Sequence, residues 1–332
     1  MSANSVSSNR REPRIALIGE ALVDLIEEPD GRYEACLGGS VFNVGLALSR
    51  LAAGPLYLNP FSQDDWGQSF ASRAKAEGMV LSPLGPSMLP TSIAVVRLGS
   101  DGQPRYSFYR EGVADRDWSA EGLLERLAVE PGDLLHTGGL ALMPEDWLKL
   151  HALLGAWRLR GGLVSVDVNV RMVAAKDAAA YRHVIGDAAS LAHLLKVSDE
   201  DLVSLGVLSQ GAGADAALVA LREWLRRVGA RPRLTVLTRG ADQGWCLTGS
   251  DVAVAYVPQQ ITDVVDTVGA GDCFWAAFIG GLRRLQALTA TTHDASTLAQ
   301  VLQWACVAAA HNICHRGCEP IQRSALFKEI NT

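Results

Sequence analysis

A short run in the last quarter of the chain combines three small residues and a carboxylate in an order that suits chemistry on phosphate groups. Residues 264–268 are strand-like, Gly269, Ala270 and Gly271 follow, and a helix is predicted to begin at about Ala270 or Asp272. Glycines at a helix start let backbone N–H groups face an anion, and the helix dipole adds to that attraction. The pattern favours phosphoryl transfer to a hydroxyl whose proton Asp272 accepts. An ordinary strand-to-helix turn capped by Asp272 is the alternative.

A second glycine turn precedes a helix much earlier in the chain. Gly38 and Gly39 lead into residues 41–51, whose apolar positions repeat with helical periodicity. Asn43 lies one turn inside this helix, where asparagine is mildly unfavourable and often marks a polar contact. Asp24 follows the first predicted strand closely, so it should lie at the carboxyl end of that strand. A carboxylate there could accept hydrogen bonds from two neighbouring hydroxyls.

Length and composition restrict the class of protein. The 332 residues, of which 48% are hydrophobic and 20% are charged, are enough for one large α/β domain or two smaller ones. A net charge of −6 with no basic block beyond Arg10 and Arg11 argues against nucleic-acid binding. No apolar run reaches the roughly 18 residues that a membrane helix needs. We expect a cytoplasmic protein with a disordered tail at residues 1–13.

The remaining sequence alternates short β-rich runs with longer amphipathic segments. This rhythm predicts a mostly parallel sheet with helices on both faces, formed by residues 14–330 as a single domain. Residues 24–37 and 91–113 break the rhythm with hairpin patterns that turn at residues 29–31 and 101–102. They should form a small separate sheet, which is either a lid over the carboxyl end of the main sheet or a decorative hairpin.

The two glycine turns, in this order and spacing, resemble the signature motifs of the ribokinase-like (phosphofructokinase-B) carbohydrate kinases. The resemblance covers essentially all of residues 14–330, and the run at 266–272 is its most specific part. It implies a doubly wound core with a β-lid, ATP as the phosphoryl donor and Mg²⁺ as the companion ion. It also implies that Asp272 is the catalytic base and that the amides of Gly269, Ala270 and Gly271 form the anion hole.

The nucleotide side follows the family pattern less closely. The family usually carries an Asn-x-x-Glu motif, and Ser198 and Asp201 stand at the matching positions. The magnesium-linked carboxylate is therefore either Glu200 or Asp201. Residues 238–244 follow a strand and resemble the family's nucleotide loop, although a plain hairpin turn would look the same. The residues that the resemblance assigns to ATP are Ser198, Asp201, Thr238, Arg239, Gly240, Gly244 and Gly271.

Two further expectations come from the resemblance. Members of the family often respond to K⁺, and the backbone carbonyls around Asp266 and Val268, with a loop at residues 315–317, would form that site. The lid is the surface through which we expect any homodimer to form.

The acceptor is expected to be a sugar. Residues 106–118, 135–138 and 167–171 resemble the bacterial fructokinase branch, which favours fructose. Two arginines in these segments also occur in kinases for 2-keto-3-deoxygluconate, where a pair of guanidinium groups would suit the carboxylate. The residues assigned to the acceptor are Asp24, Gly38, Gly39, Asn43, Phe108, Arg110 and Arg171.

Functions outside this class have less support in the sequence. There is no Walker Gly-Lys-Ser/Thr motif, so a P-loop ATPase is not indicated. Residues 211–216 match a loose dinucleotide fingerprint, but no βαβ unit begins there. A non-catalytic sugar-binding regulator would keep Asp24 and Asn43 without needing Asp272. Consumption of ATP in the presence of a panel of sugars separates these readings.

Overall fold

The computed structural model describes residues 11–28, 30–99 and 104–327. Its main sheet has eight strands in the order β12-β11-β10-β9-β8-β7-β1-β4. These strands are β1 (Ile15–Leu17), β4 (Leu56–Tyr57), β7 (Leu134–Gly138), β8 (Leu163–Asp167), β9 (Leu194–Ser198), β10 (Leu234–Thr238), β11 (Gly244–Thr248) and β12 (Ala253–Tyr256). From β4 through β10 all neighbours are parallel, and β11 and β12 add an antiparallel edge.

Helices cover both faces of this sheet, as predicted. They are α1 (Ser40–Arg50), α2 (Asp65–Ala76), α3 (Ala120–Leu124), α4 (Pro144–Leu159), α5 (Ala178–Leu191), α6 (Asp199–Ser204), α7 (Ala214–Arg227), α8 (Ala270–Arg284), α9 (Ala295–Ile313) and α10 (Arg323–Leu326). One apolar cluster packs α1, α8 and α9 on one face, and a second packs α4, α5 and α7 on the other. The apolar strands are buried on both faces, which explains their continuous hydrophobic sequences.

A second sheet of four strands stands apart from the main one, as the hairpin patterns predicted. It consists of β2 (Leu22–Glu27), β3 (Tyr33–Gly38), β5 (Ser92–Leu98) and β6 (Pro104–Tyr109) in the order β3-β2-β5-β6. Its two antiparallel hairpins are joined by parallel pairing of β2 with β5. The predicted turn at Asp101 and Gly102 lies outside the described residues.

The sequence predicted the alternation of strands and helices in the main sheet, but it missed the β11–β12 edge hairpin. Within the described part of the chain, no helix is long and apolar enough to cross a membrane. The predicted tail at residues 1–13 lies mostly outside the described residues. Of its last residues, Arg11 contacts the domain through an ion pair of 2.6 Å between its Nη2 and Oδ1 of Asp133.

An aromatic cluster under α1 is expected to carry much of the stability on that face of the sheet. Phe42 is fully buried and meets the rings of Tyr57, Phe61 and Phe70 edge-on, with centroid distances of 5.9, 5.9 and 4.9 Å. We expect Phe42→Ala to lower the free energy of unfolding by about 3–5 kcal/mol in denaturant titrations. Tyr109→Ala, on the exposed face of the lid, is the control and should change it by less than about 0.5 kcal/mol. Equal effects would contradict this account of the core.

Candidate active site

The site lies where the strand order reverses, between β1 and β7. The chain leaves β1 toward β4 on one side and later returns to β7 on the other, and such a crevice at the carboxyl ends of parallel strands is where ligands bind in open α/β sheets. The lid strands β2 and β3 run directly from β1 to the start of α1. The two glycine turns recognised in the sequence, at the starts of α1 and α8, therefore meet at this crevice.

Asp272 is the residue on which these elements converge. It lies in the first turn of α8, only 8% exposed, although 229 to 232 residues separate it from its partners on α1. Ser40 Oγ donates to its Oδ1 at 2.7 Å and Asn43 Nδ2 donates to its Oδ2 at 2.9 Å. Asn169 Nδ2 in turn donates to Ser40 Oγ at 2.8 Å. All these donors support a carboxylate that accepts hydrogen bonds and is free to take a proton.

The protonation of Asp272 is set by opposing effects. Burial raises the pKa of this carboxyl, while the hydrogen bonds from Ser40 and Asn43 and the charges of Lys196 and Arg171 lower it. The net direction is upward, opposite to the expectation from the helix dipole alone, because removal from water outweighs the other effects. A raised pKa brings a carboxylate closer to the range in which general bases work best.

Gly269, in the turn before α8, has a left-handed backbone. Its φ is 79°, and a Cβ there would lie 2.8 Å from Cβ of Cys318. Gly271 lies within α8 and is not among the glycines with a positive φ. The N–H of Ala270 donates to the carbonyl of Thr267 at 3.2 Å. The first-turn N–H groups of Gly271 and Asp272 remain the natural donors to an anion.

On the lid side, Asp24 and Gly38 are diagonal neighbours in the β2–β3 pairing. A Cβ on Gly38 would collide with Oδ2 of Asp24, so glycine leaves room for that carboxylate. Burial raises the pKa of Asp24 to about 6, and the positive charge of Arg171 opposes this shift. Asn43 was assigned to the acceptor, but its amide nitrogen holds Asp272 instead. Its Oδ1 is buried without a hydrogen-bond partner and is the atom left for a ligand.

Arg110 is engaged within the protein rather than open to the crevice. Its side chain is 10% exposed, and its Nη2 pairs with Oδ2 of Asp115 at 2.9 Å. Its Nη1 donates to the carbonyl of Leu140 at 3.1 Å. Arg171 has an exposed side and donates to the carbonyl of Val170 at 3.2 Å. The two arginines therefore do not form a symmetric pair of free guanidinium groups.

Phe108, assigned to the acceptor with these arginines, lies on β6 of the lid. It is half-buried and stacks on Tyr106 with a centroid distance of 5.8 Å.

The predicted nucleotide residues are brought together at the adjacent strand ends. Ser198 and Thr238 are direct neighbours in the parallel pairing of β9 with β10. Ser198 and Asp201 form a capping box at the start of α6, and Asp201 also accepts from the Val170 N–H at 2.7 Å. Both carboxylate oxygens of Asp201 are thus used by backbone donors, whereas Glu200 is exposed.

Residues 239–243 connect the antiparallel strands β10 and β11. The backbone of the predicted nucleotide loop is therefore a hairpin turn. The Arg239 side chain is 9% exposed and donates to the Ala212 carbonyl at 2.9 Å. Gly240 has a positive φ of 55° in this turn. A Cβ on Gly244 would collide with the ring of Tyr256.

The structure also brings together the two segments predicted to bind a monovalent cation. Asp266 accepts from the N–H groups of Val268 at 3.0 Å and Gly317 at 2.8 Å, which joins it to residues 315–317. The Val268 carbonyl accepts from Asn312 Nδ2 at 2.7 Å. That carbonyl retains one lone pair, so the arrangement is compatible with a cation held by backbone oxygens.

Sequence reasoning missed three residues of the site. Ser40 and Asn169 form a chain of hydrogen bonds to Asp272. Glu20, just after β1, is 3% exposed and accepts from the Ser40 N–H at 3.1 Å, while its Oε2 has no partner. Burial raises the pKa of Glu20 to about 7. Their positions in the sequence could have identified them, because each of the three follows a glycine turn or the end of a buried strand.

The chain is similar to several known proteins. Residues 12–324 match the pfkB family carbohydrate kinase profile. A fructokinase of Rhizobium leguminosarum bv. trifolii is 32% identical over 279 residues, covering 83% of this chain and 81% of that protein. An aminoimidazole riboside kinase of Salmonella typhimurium is 30% identical over 272 residues, covering 81% and 79%. A fructokinase double mutant of Vibrio cholerae O395 with bound fructose, ADP and potassium ion has a TM-score of 0.78 at 23% identity, covering 95% and 97%.

The two glycines of the α8 turn should respond differently to the same substitution. Gly269→Ala forces alanine into a left-handed conformation and toward Cys318, so we expect it to lower the free energy of unfolding by at least about 1–2 kcal/mol. Gly271→Ala is the matched control, since its Cβ would lie at an ordinary 3.4 Å from Lys196 Nζ. The free energy of unfolding of Gly271→Ala should stay the same or rise slightly. Denaturant titration of both variants is the measurement, and a larger loss in Gly271→Ala would contradict the assignment.

Proposed function

The chain belongs to the pfkB family of carbohydrate kinases, and on that premise we propose that it is a fructokinase, which transfers the γ-phosphoryl group of ATP to a hydroxyl of fructose. Enzymes of this family are phosphotransferases that act on a sugar hydroxyl. The observation that carries the proposal is the buried carboxylate of Asp272, oriented by Ser40 and Asn43 beside the start of a helix.

In the proposed reaction, Asp272 accepts the proton of the attacking sugar hydroxyl. Ser40 and Asn43 each donate to one of its oxygens, which fixes the carboxylate plane and favours the charged form. The N–H groups of Gly271 and Asp272, with the positive end of the α8 dipole, face the charge that spreads over the phosphoryl oxygens. Positioning and charge stabilisation supply most of the catalysis in such transfers.

The polar groups around the crevice fit a polyhydroxylated acceptor. Asp24 has a half-buried carboxylate, and Glu20 Oε2 and Asn43 Oδ1 are buried polar atoms without partners. Buried polar atoms are normally satisfied, so these atoms are candidates to bond a ligand. We propose that Asp24 accepts two sugar hydroxyls and that Gly38 and Gly39 allow the sugar to approach the backbone.

ATP with Mg²⁺ supplies the phosphoryl group, and the residues at the ends of β9 and β10 fit the nucleotide. Ser198 and Thr238 lie side by side there, and the turn at Gly240 follows. We assign the magnesium-linked carboxylate to Glu200, because both oxygens of Asp201 already accept from backbone N–H groups. We assign a K⁺ site to the carbonyls of Asp266 and Val268. The potassium ion in the Vibrio cholerae fructokinase structure supports this second assignment.

The engagement of Arg110 favours a neutral sugar over 2-keto-3-deoxygluconate. Asp115 already balances the charge of Arg110, so this guanidinium is not an unpaired cation that needs the carboxylate of an acidic sugar. Aminoimidazole riboside is a second candidate acceptor, because a kinase for it is among the relatives at 30% identity.

A non-catalytic sugar-binding regulator is the alternative outside the enzyme class. Such a protein has no need for an oriented buried base, whereas Asp272 has two donors from another helix.

The lid remains the proposed surface for a homodimer, and Tyr33, Tyr106 and Tyr109 are exposed on it. The proposed partners are otherwise the small-molecule sugar and the nucleotide.

The acceptor is tested by measuring kcat/KM for fructose, aminoimidazole riboside and 2-keto-3-deoxygluconate side by side at saturating MgATP. We expect fructose to be preferred, because the crevice offers hydroxyl acceptors and its deep arginine is paired. A clear preference for the acidic sugar would reassign Arg110 and Arg171 as a carboxylate clamp. The absence of ATP consumption with every sugar would instead support the regulator.

The role of Asp24 predicts a pH dependence of sugar binding. Its pKa is raised to about 6, so its carboxylate becomes protonated as the pH falls through that value. KM for fructose should then increase by roughly tenfold or more, the scale of a charge-assisted hydrogen bond. Asp24→Asn should show a high KM from which the change near pH 6 is missing. An unchanged profile in this variant would show that another group titrates.

The base is tested by Asp272→Asn, which preserves the shape of the side chain. Turnover should fall by roughly a hundred- to ten-thousand-fold, the usual contribution of a general base, while thermal stability and sugar affinity change little. Asp263→Asn, an exposed aspartate in the segment that leads into the same turn, is the matched control. Retention of more than about a tenth of wild-type turnover by Asp272→Asn would remove the assignment, since a base contributes far more than that.

A further inference from the structure

A lysine that the proposed reaction does not use lies buried beneath the start of α8. Lys196 on β9 has a side chain that is 7% exposed, and its Nζ donates to Oδ2 of Asp167 at 2.8 Å. The same Nζ lies 3.4 Å from the position that a Cβ on Gly271 would take. The ammonium group is therefore next to the turn that carries Asp272.

The strand pairing explains how the lysine reaches this position. Asp167 and Lys196 are direct neighbours in the parallel pairing of β8 with β9. Leu194, two residues earlier on the same face, belongs to the apolar cluster under α1 and α8. A buried ion pair seldom stabilises a fold more than apolar side chains of similar size would. Packing alone therefore does not account for a lysine at this position.

Charged groups face Lys196 from several elements. The carboxylates of Asp167 on β8, Asp201 on α6 and Asp272 on α8 raise its pKa against the effect of burial, so the ammonium stays protonated. His136 on β7 is buried, and burial lowers its pKa to about 3, so it is neutral at physiological pH. Arg171 is the other cation whose charge acts on Asp272.

We propose that Lys196 is a positioning residue for the transfer reaction: its buried ammonium, held in place by Asp167, keeps Asp272 ionised and able to accept the hydroxyl proton. The inference rests on the proposed role of Asp272 as base. Under this proposal, a fixed positive charge beneath the helix acts on that base together with the hydrogen bonds from Ser40 and Asn43.

The two members of the pair should act on Asp272 with opposite signs. A nearby cation favours the charged carboxylate, so loss of Lys196 raises the pKa of Asp272. A nearby anion disfavours it, so loss of the charge on Asp167 lowers the pKa of Asp272. A purely structural role would change stability without shifting the titration in opposite directions.

The experiment follows Asp272 directly in the full-length protein. Carboxyl ¹³C resonances of labelled aspartate are titrated by NMR in the wild type, Asp167→Asn and the double variant Asp167→Asn/Lys196→Met, and the Asp272 signal is identified by its loss in Asp272→Asn. The comparison of Asp167→Asn with the double variant keeps residue 167 neutral, so that only the ammonium changes. The double variant replaces a buried pair by neutral groups of similar size, which proteins usually tolerate.

We expect the pKa of Asp272 to fall in Asp167→Asn and to be higher by about one unit in the double variant than in Asp167→Asn. Lys176→Met, which removes an exposed lysine paired with Glu111, is the matched control and should leave the titration unchanged. Identical Asp272 titrations in Asp167→Asn and the double variant would overturn the inference.

The acid limb of kcat for sugar phosphorylation should move in the same direction as the NMR titration. Because the carboxyl signal is read without substrate, the NMR result does not depend on which sugar is phosphorylated. Substantial turnover by Asp272→Asn would instead overturn the proposed base, and the two failures are therefore distinguishable.

Discussion

The hydrogen bonds between Asp272 and the first turn of α1 are the interaction on which the site depends. Both helix starts are capped by a glycine with a left-handed backbone, Gly39 at φ 111° and Gly269 at φ 79°, and neither has a side-chain cap of its own. Asp272 accepts from Ser40 and Asn43, so α8 supplies an acceptor to the polar side chains of α1. The proposed base is thus oriented by the same contact that joins two distant parts of the chain.

This arrangement places two positive helix ends at one point in a protein whose net charge is −6. The dipoles of α1 and α8 both favour anions there, and the effect is local because it fades within the first turn. Glu20 and Asp272 are the carboxylates that lie closest to these helix starts, and burial raises the pKa of both. The crevice is consequently suited to a phosphate group although the protein carries a net negative charge.

The sequence was informative wherever local geometry determines the structure. Glycine turns, strand alternation and the two hairpins predicted the α/β core, the separate small sheet and the position of Asp272 at a helix start. It was less informative about contacts between residues far apart in the chain. The partner of Asn43 lies 229 residues away, and neither residue's sequence neighbours reveal the contact. The pKa of Asp272 likewise depends on burial, which only the folded packing determines.

A contact close in the chain was also missed, and it explains why Arg110 was assigned to the acceptor. Near the lid it appeared to be a free cation, but Asp115, only five residues later, turns back through a short 3₁₀ helix at Ala114–Arg116 and pairs with it. Asp115 also accepts from the Ser92 hydroxyl on β5, and its carbonyl accepts from Asn59.

The lid is therefore fixed at its base by a buried polar network, while Arg316 pairs with Glu28 and Glu34 on its other hairpin. Arg316 belongs to the loop that also contacts Asp266, so the lid is joined to the proposed cation loop as well as to the core. Changes at either attachment should therefore reach the acceptor side of the crevice.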